Sequence, residues 1–439
     1  MGPREGGPQT PREAARAIWQ AALAAADVRP LVHRVASALP SSGSIVVVGC
    51  GKASGVMAAA LEDVAGERIV DGLVVVKDGY TVPTRRVRIV EAGHPVPDAR
   101  GEAAGRALLE RLHGTRESDV VVVLISGGGS ALMPAPAPPV TLEEKRTVTR
   151  LLLAAGATIN ELNAVRKHLS LVKGGQLARA AAPARVVTLA LSDVIGDPLD
   201  VIASGPTAPD SSTFAQAVDV LRRRRVWDEA PAPVRARLET GARGEIEETP
   251  KPGDPIFARV DHHVIGNNAL VTDAAVARAE SLGYRTRLLT RSLQGEAREV
   301  VHDLVAQARA LPPPACVIAA GETTVTVRGS GRGGRCQELA LAAALALDGV
   351  KDVVVLAGGT DGTDGPTDAA GGFADGETVA RLRTAGVDPR AALDANDAHA
   401  ALGASGDLLV SGPTNTNLLD LYLVVHGDCP AGGRAGPNS

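Results

Sequence analysis

Short apolar runs alternate with longer amphipathic stretches along most of the chain. In the first half, runs rich in β-branched residues occupy positions 45–48, 73–76, 87–90, 120–125 and 186–191. Helical periodicity covers positions 11–39 and the Ala-rich stretches between the runs. Continuous apolar strands that alternate with helices are typical of a parallel sheet covered on both faces. The pattern therefore predicts an α/β fold built around a parallel sheet.

This alternation is interrupted at residues 240–255, TGARGEIEETPKPGDP, which are rich in Gly, Pro and charge. Such a composition is typical of an interdomain linker. Beyond it, further strands are predicted at 316–320, 323–327, 351–356 and 419–425. A chain of 439 residues also exceeds what one hydrophobic core usually supports. We therefore predict two α/β domains, at residues 1–245 and 256–439, with a cleft between them.

Composition and charge exclude several kinds of partner. The chain has 46 basic and 50 acidic residues, a net charge of −4, and its one basic run, Arg222 to Arg225, is expected to be a solvated helix end. Nucleic acid is therefore not indicated. The first residues, MGPREGGPQT, lack the apolar core of a signal peptide, and no apolar stretch is long enough for a bilayer. The four cysteines form no CxxC pair, which favours a reducing, cytoplasmic setting.

Two glycine-rich loops follow apolar strands. In VVVGCGKASG, Gly49, Gly51 and Lys52 would begin a helix, where backbone N–H groups and a cation suit an anion. The spacing is not that of a Walker A loop. It approaches the dinucleotide fingerprint, with Ser54 in place of the third glycine and Asp78 as the candidate ribose-binding acid. A tight turn with a solvated lysine is an equally good interpretation.

The second loop is LISGGGSAL, residues 124–132. Gly127, Gly128 and Gly129 offer consecutive unhindered N–H groups, and Ser126 and Ser130 add hydroxyls. Such a loop can bind phosphates, although a turn selected for positive φ would have the same sequence.

A third constellation is NAVRKHLSLVKGGQ, where Asn163, Arg166, Lys167 and Ser170 fall on one helical face. A solvated helix face is the usual meaning of such a stripe. The absence of the acidic partners that normally accompany exposed basic residues on helices favours a functional role instead.

Carboxylates follow predicted strands in both halves. Asp193 lies at a strand end, where a ligand for a hard cation or a general base would be placed. In the second half, Asp361 lies among glycines and threonines after a strand, and metal binding and an Asx turn are equally consistent with it. Arg335 opens a predicted helix and could bind a carboxylate or phosphate with its planar fork.

These motifs together resemble the glycerate 2-kinase family. The resemblance rests, in chain order, on GCGKAS, GHPVPD, SGGGSAL, NAVRKHLSLVKGG, LSDVIGDPLDVIASGPT, GETTVTV, GGRCQELAL and GGTDGTDGPTDAAG. It implies a Rossmann-like N-terminal domain, a smaller C-terminal MOFRL domain and an active site between them. The implied reaction is phosphorylation of D-glycerate at its 2-hydroxyl by ATP and Mg²⁺, and the implied active-site residues include Lys52 and Arg335.

The resemblance and the residues together suggest roles. Lys52 would neutralise the transferring phosphoryl group, the two glycine loops would bind the nucleotide, and Arg335 would clamp the glycerate carboxylate. Asp193 would hold Mg²⁺ or accept the hydroxyl proton, and Asp361 is a second candidate metal ligand. The rival function is an NAD(P)H-dependent hydroxypyruvate reductase, because some members of the family carry that label. A homodimer is compatible with the sequence.

Overall fold

The computed structural model describes residues 10–429. Residues 1–9, which belong to the segment predicted not to be a signal peptide, lie outside the described part, as do residues 430–439. Within the described part, no helix is both long enough and apolar enough to cross a membrane.

Helices and strands alternate through the chain. Up to residue 266 they are α1 (Pro11–Ala25), α2 (Val28–Ala36), β1 (Ile45–Cys50), α3 (Ser54–Ala65), β2 (Ile69–Lys77), β3 (Arg88–Ala92), α4 (Ala99–Leu112), β4 (Val120–Ile125), α5 (Gly129–Leu132), α6 (Leu142–Ala154), α7 (Ile159–His168), α8 (Gln176–Ala181), β5 (Arg185–Leu191), α9 (Phe214–Arg223), α10 (Ala232–Ala242) and β6 (Val260–Gly266). The rest are α11 (Asn268–Ser281), β7 (Arg285–Leu293), α12 (Ala297–Arg309), β8 (Ala315–Gly321), α13 (Arg335–Ala346), β9 (Val353–Gly359), β10 (Gly371–Asp375), α14 (Thr378–Thr384), α15 (Pro389–Asp394), α16 (Ala398–Ser405), β11 (Leu408–Leu409) and β12 (Asp420–His426).

These elements form two compact units. We call residues 28–265 the first unit, and residues 10–27 together with 266–429 the second unit. Each unit is built on its own six-stranded sheet, which confirms the prediction of two α/β parts.

The first unit has the strand order β3-β2-β1-β4-β5-β6. Strands β1 to β5 pair in parallel, for example Val48 with Leu73 on one side and with Val123 on the other. All six residues of β1 and of β4 are buried, as expected for strands covered on both faces. The chain order reverses between β1 and β4, and in doubly wound sheets ligands bind outside the carboxyl ends of the strands at such a point.

The second unit has the order β11-β10-β9-β12-β8-β7. Strand β12 runs antiparallel to both of its neighbours, β8 and β9. Its first residue, Asp420, therefore pairs with the last residues of those strands, Gly321 and Gly359. Three chain segments thus meet at one edge of this sheet, and polar side chains gather there.

The units differ from the predicted domains in two places. The predicted linker belongs to the first unit, because Thr249 is buried and donates a 2.9 Å hydrogen bond to Asp210. The predicted helix at 11–39 is two helices, and α1 belongs to the second unit, where Arg12 forms a 2.6 Å ion pair with the buried Asp407. Local composition therefore marked a change of pattern but not the boundary of the compact units.

One predicted strand is wrong. Residues 323–327 are β-branched, yet they form no strand and make a single isolated bridge, between Thr324 and Glu296. Val327 is 73% exposed. Intrinsic β-propensity has little effect where no neighbouring strand offers pairing and burial.

Candidate functional site

The two glycine-rich loops predicted from the sequence meet at the switch point of the first unit. The loop after β1 and the loop after β4 are joined by two backbone hydrogen bonds, from Lys52 N to Gly127 O at 2.9 Å and from Ser126 N to Cys50 O at 3.1 Å. The hydroxyl of Ser126 accepts a 2.9 Å bond from Ala53 N and so caps the start of α3. The structure therefore brings Gly49, Gly51, Lys52 and residues 126–130 together in one crevice.

Close packing between these loops explains why they contain glycine. A Cβ atom on Gly51 would lie 2.1 Å from Ser126 Oγ, and one on Gly49 would lie 2.1 Å from Leu124 O. Gly128 has φ +84°, and a Cβ there would lie 2.9 Å from the ring of His94. Several glycines thus serve loop packing, in addition to any role in leaving room for a ligand.

The glycine loop also keeps donors available. Gly129 N donates to Ser126 O at 3.3 Å, whereas the N–H groups of Gly127 and Gly128 have no acceptor within residues 10–429. Two successive N–H groups without protein acceptors, at the carboxyl end of a parallel strand, suit an anionic group.

Next to this loop lies a group that we call the cation cluster, namely Lys145, Arg166 and Lys173 around Ser130. Arg166 Nη2 donates to Ser130 Oγ. Lys173 Nζ donates to Ser130 Oγ and to Ser130 O, both at 2.9 Å. Lys145 Nζ donates to Leu169 O at 3.2 Å. Neutral oxygens are the hydrogen-bond acceptors of all three cations within residues 10–429.

The charges of the cluster are strongly desolvated. Burial, reinforced by the charges of Arg166 and Arg237, lowers the pKa of Lys145 to about 7. Burial lowers the pKa of Arg166 to about 10 and that of Lys173 well below its usual range. A buried cation without a carboxylate partner is costly, so this arrangement needs a compensating role.

A strained turn holds the cluster from the other side. Ala203, Ser204 and Gly205 have φ values of 50°, 64° and 60°, a left-handed conformation that is unusual for the two residues other than glycine. Ser204 Oγ lies 2.8 Å from Ser130 Oγ and donates to Asn163 Oδ1 at 2.9 Å. Backbone strain of this kind is concentrated at functional sites.

The basic face of α7 is not solvated. Asn163, Lys167 and Ser170 are 2–3% exposed. Lys167 pairs with Asp200 and Asp210 at 3.3 and 3.2 Å, so its acidic partners come from a distant segment and not from the helix. The interpretation of this stripe as a solvated face is wrong.

Asp193 follows β5, at the same edge of the sheet as the two glycine loops. Among residues 10–429, no group of three or more His, Cys, Asp and Glu side chains is placed to hold a metal ion. Mg²⁺ beside a nucleotide usually takes one or two carboxylates and fills its shell with phosphate oxygens and water. A single carboxylate such as Asp193 therefore fits that ion.

Asp78, the candidate ribose-binding acid, is held by another side chain. Both of its oxygens accept from Arg100, at 2.6 and 2.9 Å. The hydrogen bond from Arg100 is the main reason that the pKa of Asp78 is lowered. A dinucleotide ribose would have to displace this pairing.

In the second unit, Arg335 begins α13 at the sheet edge described above. Its Nε and Nη2 atoms donate to the two oxygens of the buried Asp420, and its Nη1 donates to Glu322 at 2.8 Å. Burial alone would lower the pKa of Arg335, but the hydrogen bonds and charge of Asp420, together with the charge of Glu322, raise it above its usual range. We call Arg335, Asp420 and Glu322 the paired cluster.

Two other aspartates of this edge have structural contacts. Asp364 accepts from the backbone N–H groups of Cys336 and Gln337 at 3.2 and 2.8 Å, and burial raises its pKa to about 7. Asp361 Oδ1 accepts from the backbone N–H and the hydroxyl of Thr363 at 3.0 and 3.1 Å. Asp361 thus forms the Asx turn that was one of its two interpretations.

Four residues at these sites were not singled out from the sequence: Lys145, Ser204, Glu322 and Asp420. Lys145 had a detectable signal, because it shares an otherwise apolar stripe with Val148 and Leu152 on α6. An ionisable residue on the buried face of an amphipathic helix is unusual. The contacts of Asp420 depend on segments far away in the chain and left no comparable signal.

Comparison with known proteins agrees with these motifs. The chain matches two family models, a domain of unknown function (DUF4147) at residues 14–239 and the MOFRL family at residues 315–420. It is 45% identical to the D-glycerate 2-kinase of Thermotoga maritima over 86% of this chain and 90% of that protein. It is 42% identical to a putative hydroxypyruvate reductase of Agrobacterium vitis, over 95% and 94% of the two chains.

A solved structure shows the same relationship. The crystal structure of a glycerate kinase from Thermotoga maritima superposes with a TM-score of 0.86 at 42% identity, covering 94% of this chain and 99% of that one. The glycine loops, the arginine at the start of α13 and these similarities over most of the chain together show that the protein belongs to the glycerate 2-kinase family.

Proposed function

We propose that the protein is a D-glycerate 2-kinase, which transfers the γ-phosphoryl group of ATP to the 2-hydroxyl of D-glycerate and releases ADP. The observation that carries the proposal is the junction of the two glycine loops, where Lys52 N bonds Gly127 O at the switch point. The name of the related Thermotoga enzyme supplies the substrate and the regiochemistry.

The reaction forms one bond and breaks one. The 2-hydroxyl oxygen attacks the γ-phosphorus, the bond to the β–γ bridging oxygen breaks, and the hydroxyl proton leaves to a base or to solvent. Most of the catalytic effect comes from alignment and from neutralising the charge of the transition state. A lysine and free N–H groups at the end of a parallel strand are suited to this task.

The first unit supplies three roles in this proposal. The N–H groups of Gly127 and Gly128 would bind phosphate oxygens, and Lys52 would neutralise the transferring group. Asp193 would hold Mg²⁺, which supplies charge neutralisation on the nucleotide phosphates, or would accept the hydroxyl proton. An Asp193→Asn variant separates these two roles. If Asp193 is a metal ligand, its loss should raise the Mg²⁺ concentration needed for half-maximal rate, whereas loss of a base should leave that concentration unchanged.

Arg335 completes the proposed catalytic set, with a role narrower than the sequence suggested. Asp420 occupies the edge of the guanidinium that Nε and Nη2 form, so this edge cannot also clamp a carboxylate. The Nη1 atom of Arg335 faces Glu322, whose side chain is 51% exposed. Arg335 would therefore offer Nη1 to an anionic substrate group that displaces Glu322.

Product analysis tests the function. The protein is incubated with D-glycerate, ATP and Mg²⁺, and phosphorus NMR is recorded before and after the addition of enolase. A 2-phosphoglycerate signal that enolase consumes directly is the expected result. A 3-phosphoglycerate signal would keep the reaction class and refute the acceptor, and the absence of both would refute the kinase.

The rival function is supported by the name of the Agrobacterium relative. Against it, Arg100 holds Asp78, and Ser54 replaces the third glycine of the fingerprint. Reduction of hydroxypyruvate with NADH or NADPH, in the absence of phosphoglycerate formation, would establish the reductase.

Two further points belong to the proposal. The four cysteines are free in the structure, which supports a reducing compartment such as the cytoplasm. A homodimer remains a prediction, for which light scattering of the purified protein is the direct test.

A further inference from the structure

We propose that the cation cluster of the first unit is the binding site for the carboxylate of a small organic acid, which under the proposed function is the C1 carboxylate of D-glycerate. The identity of the acid rests on the proposed function, whereas the carboxylate chemistry rests on the geometry alone.

The hydrogen bonds around Ser130 have a defined direction. Ser204 donates its hydroxyl hydrogen to Asn163 Oδ1, so Ser130 must donate to Ser204 in their shared 2.8 Å bond. The lone pairs of Ser130 Oγ then receive Arg166 and Lys173. Both lone pairs of Ser130 Oγ are therefore used as acceptors. They hold the Arg166 guanidinium and the Lys173 ammonium in place without neutralising either charge.

Arg166 and Lys145 keep N–H donors that no protein acceptor within residues 10–429 uses. A guanidinium has five N–H donors and an ammonium has three. Arg166 uses one bond within residues 10–429, and Lys145 uses one, to Leu169 O. Most of their donors are therefore available.

Arg166 and Lys145 also line one cavity together with Ser130. This cavity has a volume of about 170 Å³. Most of the other lining residues are apolar, among them Pro95, Pro134, Leu142 and Leu162. Arg146 also lines the cavity and forms its own 2.9 Å ion pair with Glu143. A cavity lined by fixed cations and apolar carbon is complementary to a carboxylate with a short carbon skeleton.

The size of the cavity selects the ligand class. Pockets for drug-sized molecules occupy roughly 300–1,000 Å³, so a nucleoside would not fit here. Ser130 is two residues from Gly128, which places the two backbones at most about 7 Å apart. A three-carbon acid could therefore keep its carboxylate at the cluster and its hydroxyl near the phosphate-binding loop.

Other charges nearby do not neutralise the cluster. Glu102 is the acid whose charge raises the pKa of Lys145, and it forms its own 2.9 Å ion pair with Arg106. Arg237 adds a further positive charge, and it donates to His168 O and Pro138 O. A ligand carboxylate would be the missing counterion.

The experiment measures binding of two ligands without nucleotide. Isothermal titration compares D-glycerate with D-glyceramide, in which an uncharged amide replaces the carboxylate, on the wild-type chain and on Arg166→Met and Lys145→Met. Arg150→Met is the matched control, because it removes one exposed positive charge from α6 and Arg150 does not line the cavity. Lys145→Met should fold, since Leu169 O keeps the 3.2 Å bond from Ala137 N.

The expected result is a loss of D-glycerate affinity of about 10- to 100-fold in both cluster variants, the range typical of hydrogen bonds to a charged group. D-glyceramide binding should change less than about threefold, and Arg150→Met should bind as the wild type does. In turnover, the KM for glycerate should rise while that for ATP stays within about twofold.

Three outcomes would overturn the site: equal losses for both ligands, unchanged glycerate binding, or a raised KM for ATP alone, which would make this a phosphate site. The result is distinguishable from failure of the proposed function. A wild-type protein that binds glycerate through the cluster but makes no phosphoglycerate refutes the kinase and leaves the site standing.

Discussion

The cation cluster and the paired cluster both contain a partly buried arginine near the carboxyl ends of strands, but their charges are balanced differently. Arg335 meets two carboxylates of its own unit, whereas Arg166 and its two lysines meet only neutral oxygens within the described chain. As a result, the pKa of Arg335 is raised despite burial, and burial lowers the pKa of Lys145 to about 7. A buried charge that is paired with a protein carboxylate can stabilise the fold, whereas one that lacks such a partner is available to a ligand of opposite charge.

The largest expected effect is on the paired cluster. Within residues 10–429, Arg335→Met leaves Asp420, which is 2% exposed, with only neutral side-chain donors, namely the Tyr422 hydroxyl at 3.0 Å and the Cys336 thiol. Breaking a buried pair in this way typically costs about 3–5 kcal/mol, and we expect the free energy of unfolding of the second unit to fall by that amount. Urea unfolding followed by circular dichroism measures it.

Arg335→Lys is the matched control for this prediction. It keeps the charge and loses only the planar fork, so its loss of stability should be clearly smaller. A stability loss below about 1 kcal/mol in Arg335→Met would show that the pair is not a stabilising element.

The next effect concerns Lys52, a cation of the first unit that lies in the glycine crevice. Lys52→Met should lower kcat by about 10²–10³-fold, the usual effect of removing one preorganised group that stabilises transition-state charge. Its free energy of unfolding should change by less than about 1 kcal/mol. Steady-state kinetics with D-glycerate and ATP measure the rate, and an unchanged kcat would remove Lys52 from the proposed catalytic set.

A smaller effect of opposite sign is expected for Lys145→Met. Removing a desolvated cation without a carboxylate partner should increase the free energy of unfolding by roughly 1–2 kcal/mol at pH 7. The two clusters would then respond in opposite directions to loss of a positive charge. A destabilised Lys145→Met protein would contradict this contrast.

The stability gained in Lys145→Met should depend on pH, because the pKa of Lys145 differs between the folded and the unfolded chain. Its pKa is about 7 in the folded state, whereas the ordinary value for a solvated lysine, which applies to the unfolded chain, is 10.5. Between these values the unfolded chain binds more protons, so Lys145 makes wild-type stability rise with pH. The advantage of Lys145→Met should therefore be greatest at pH 7 and below and should shrink towards pH 10, which urea titrations at several pH values would reveal.

The smallest effect is expected for Asp78→Asn. This carboxylate is on the surface and pairs with an exposed arginine, and such pairs contribute little. Thermal stability and all kinase constants should stay at the wild-type values within error. A selective loss of NADH or NADPH binding would favour the reductase instead.

The sequence predicted the central strands of the first unit well. The predicted runs at 120–125 and 186–191 correspond to β4 (Val120–Ile125) and β5 (Arg185–Leu191). Strands buried on both faces must be apolar throughout, so they are visible without knowledge of their neighbours. Residues 323–327 had comparable β-propensity but no pairing partners, and the prediction failed there.

The sequence was less informative about the unit to which each helix belongs. The helical periodicity at 11–39 runs through Ala26 and Asp27, yet α1 and α2 belong to different units. The capping box formed by Thr10 and Glu13 fixes where α1 begins, but Arg12 and its ion pairs with Asp407 and Asp375 tie it to the second unit. Periodicity identifies an apolar face and carries no information about the surface that covers it.

The sequence by itself determined the α/β alternation, the glycine loops after β1 and β4, and the motifs that place the chain in its family. These features depend on residues close together in the chain. Only the tertiary structure decided which charges have counterions: Arg335 meets Asp420 across 85 residues, and Arg166 meets Ser130 across 36. The electrostatic state of a buried group depends on contacts between distant segments, and those contacts exist only once the chain has folded.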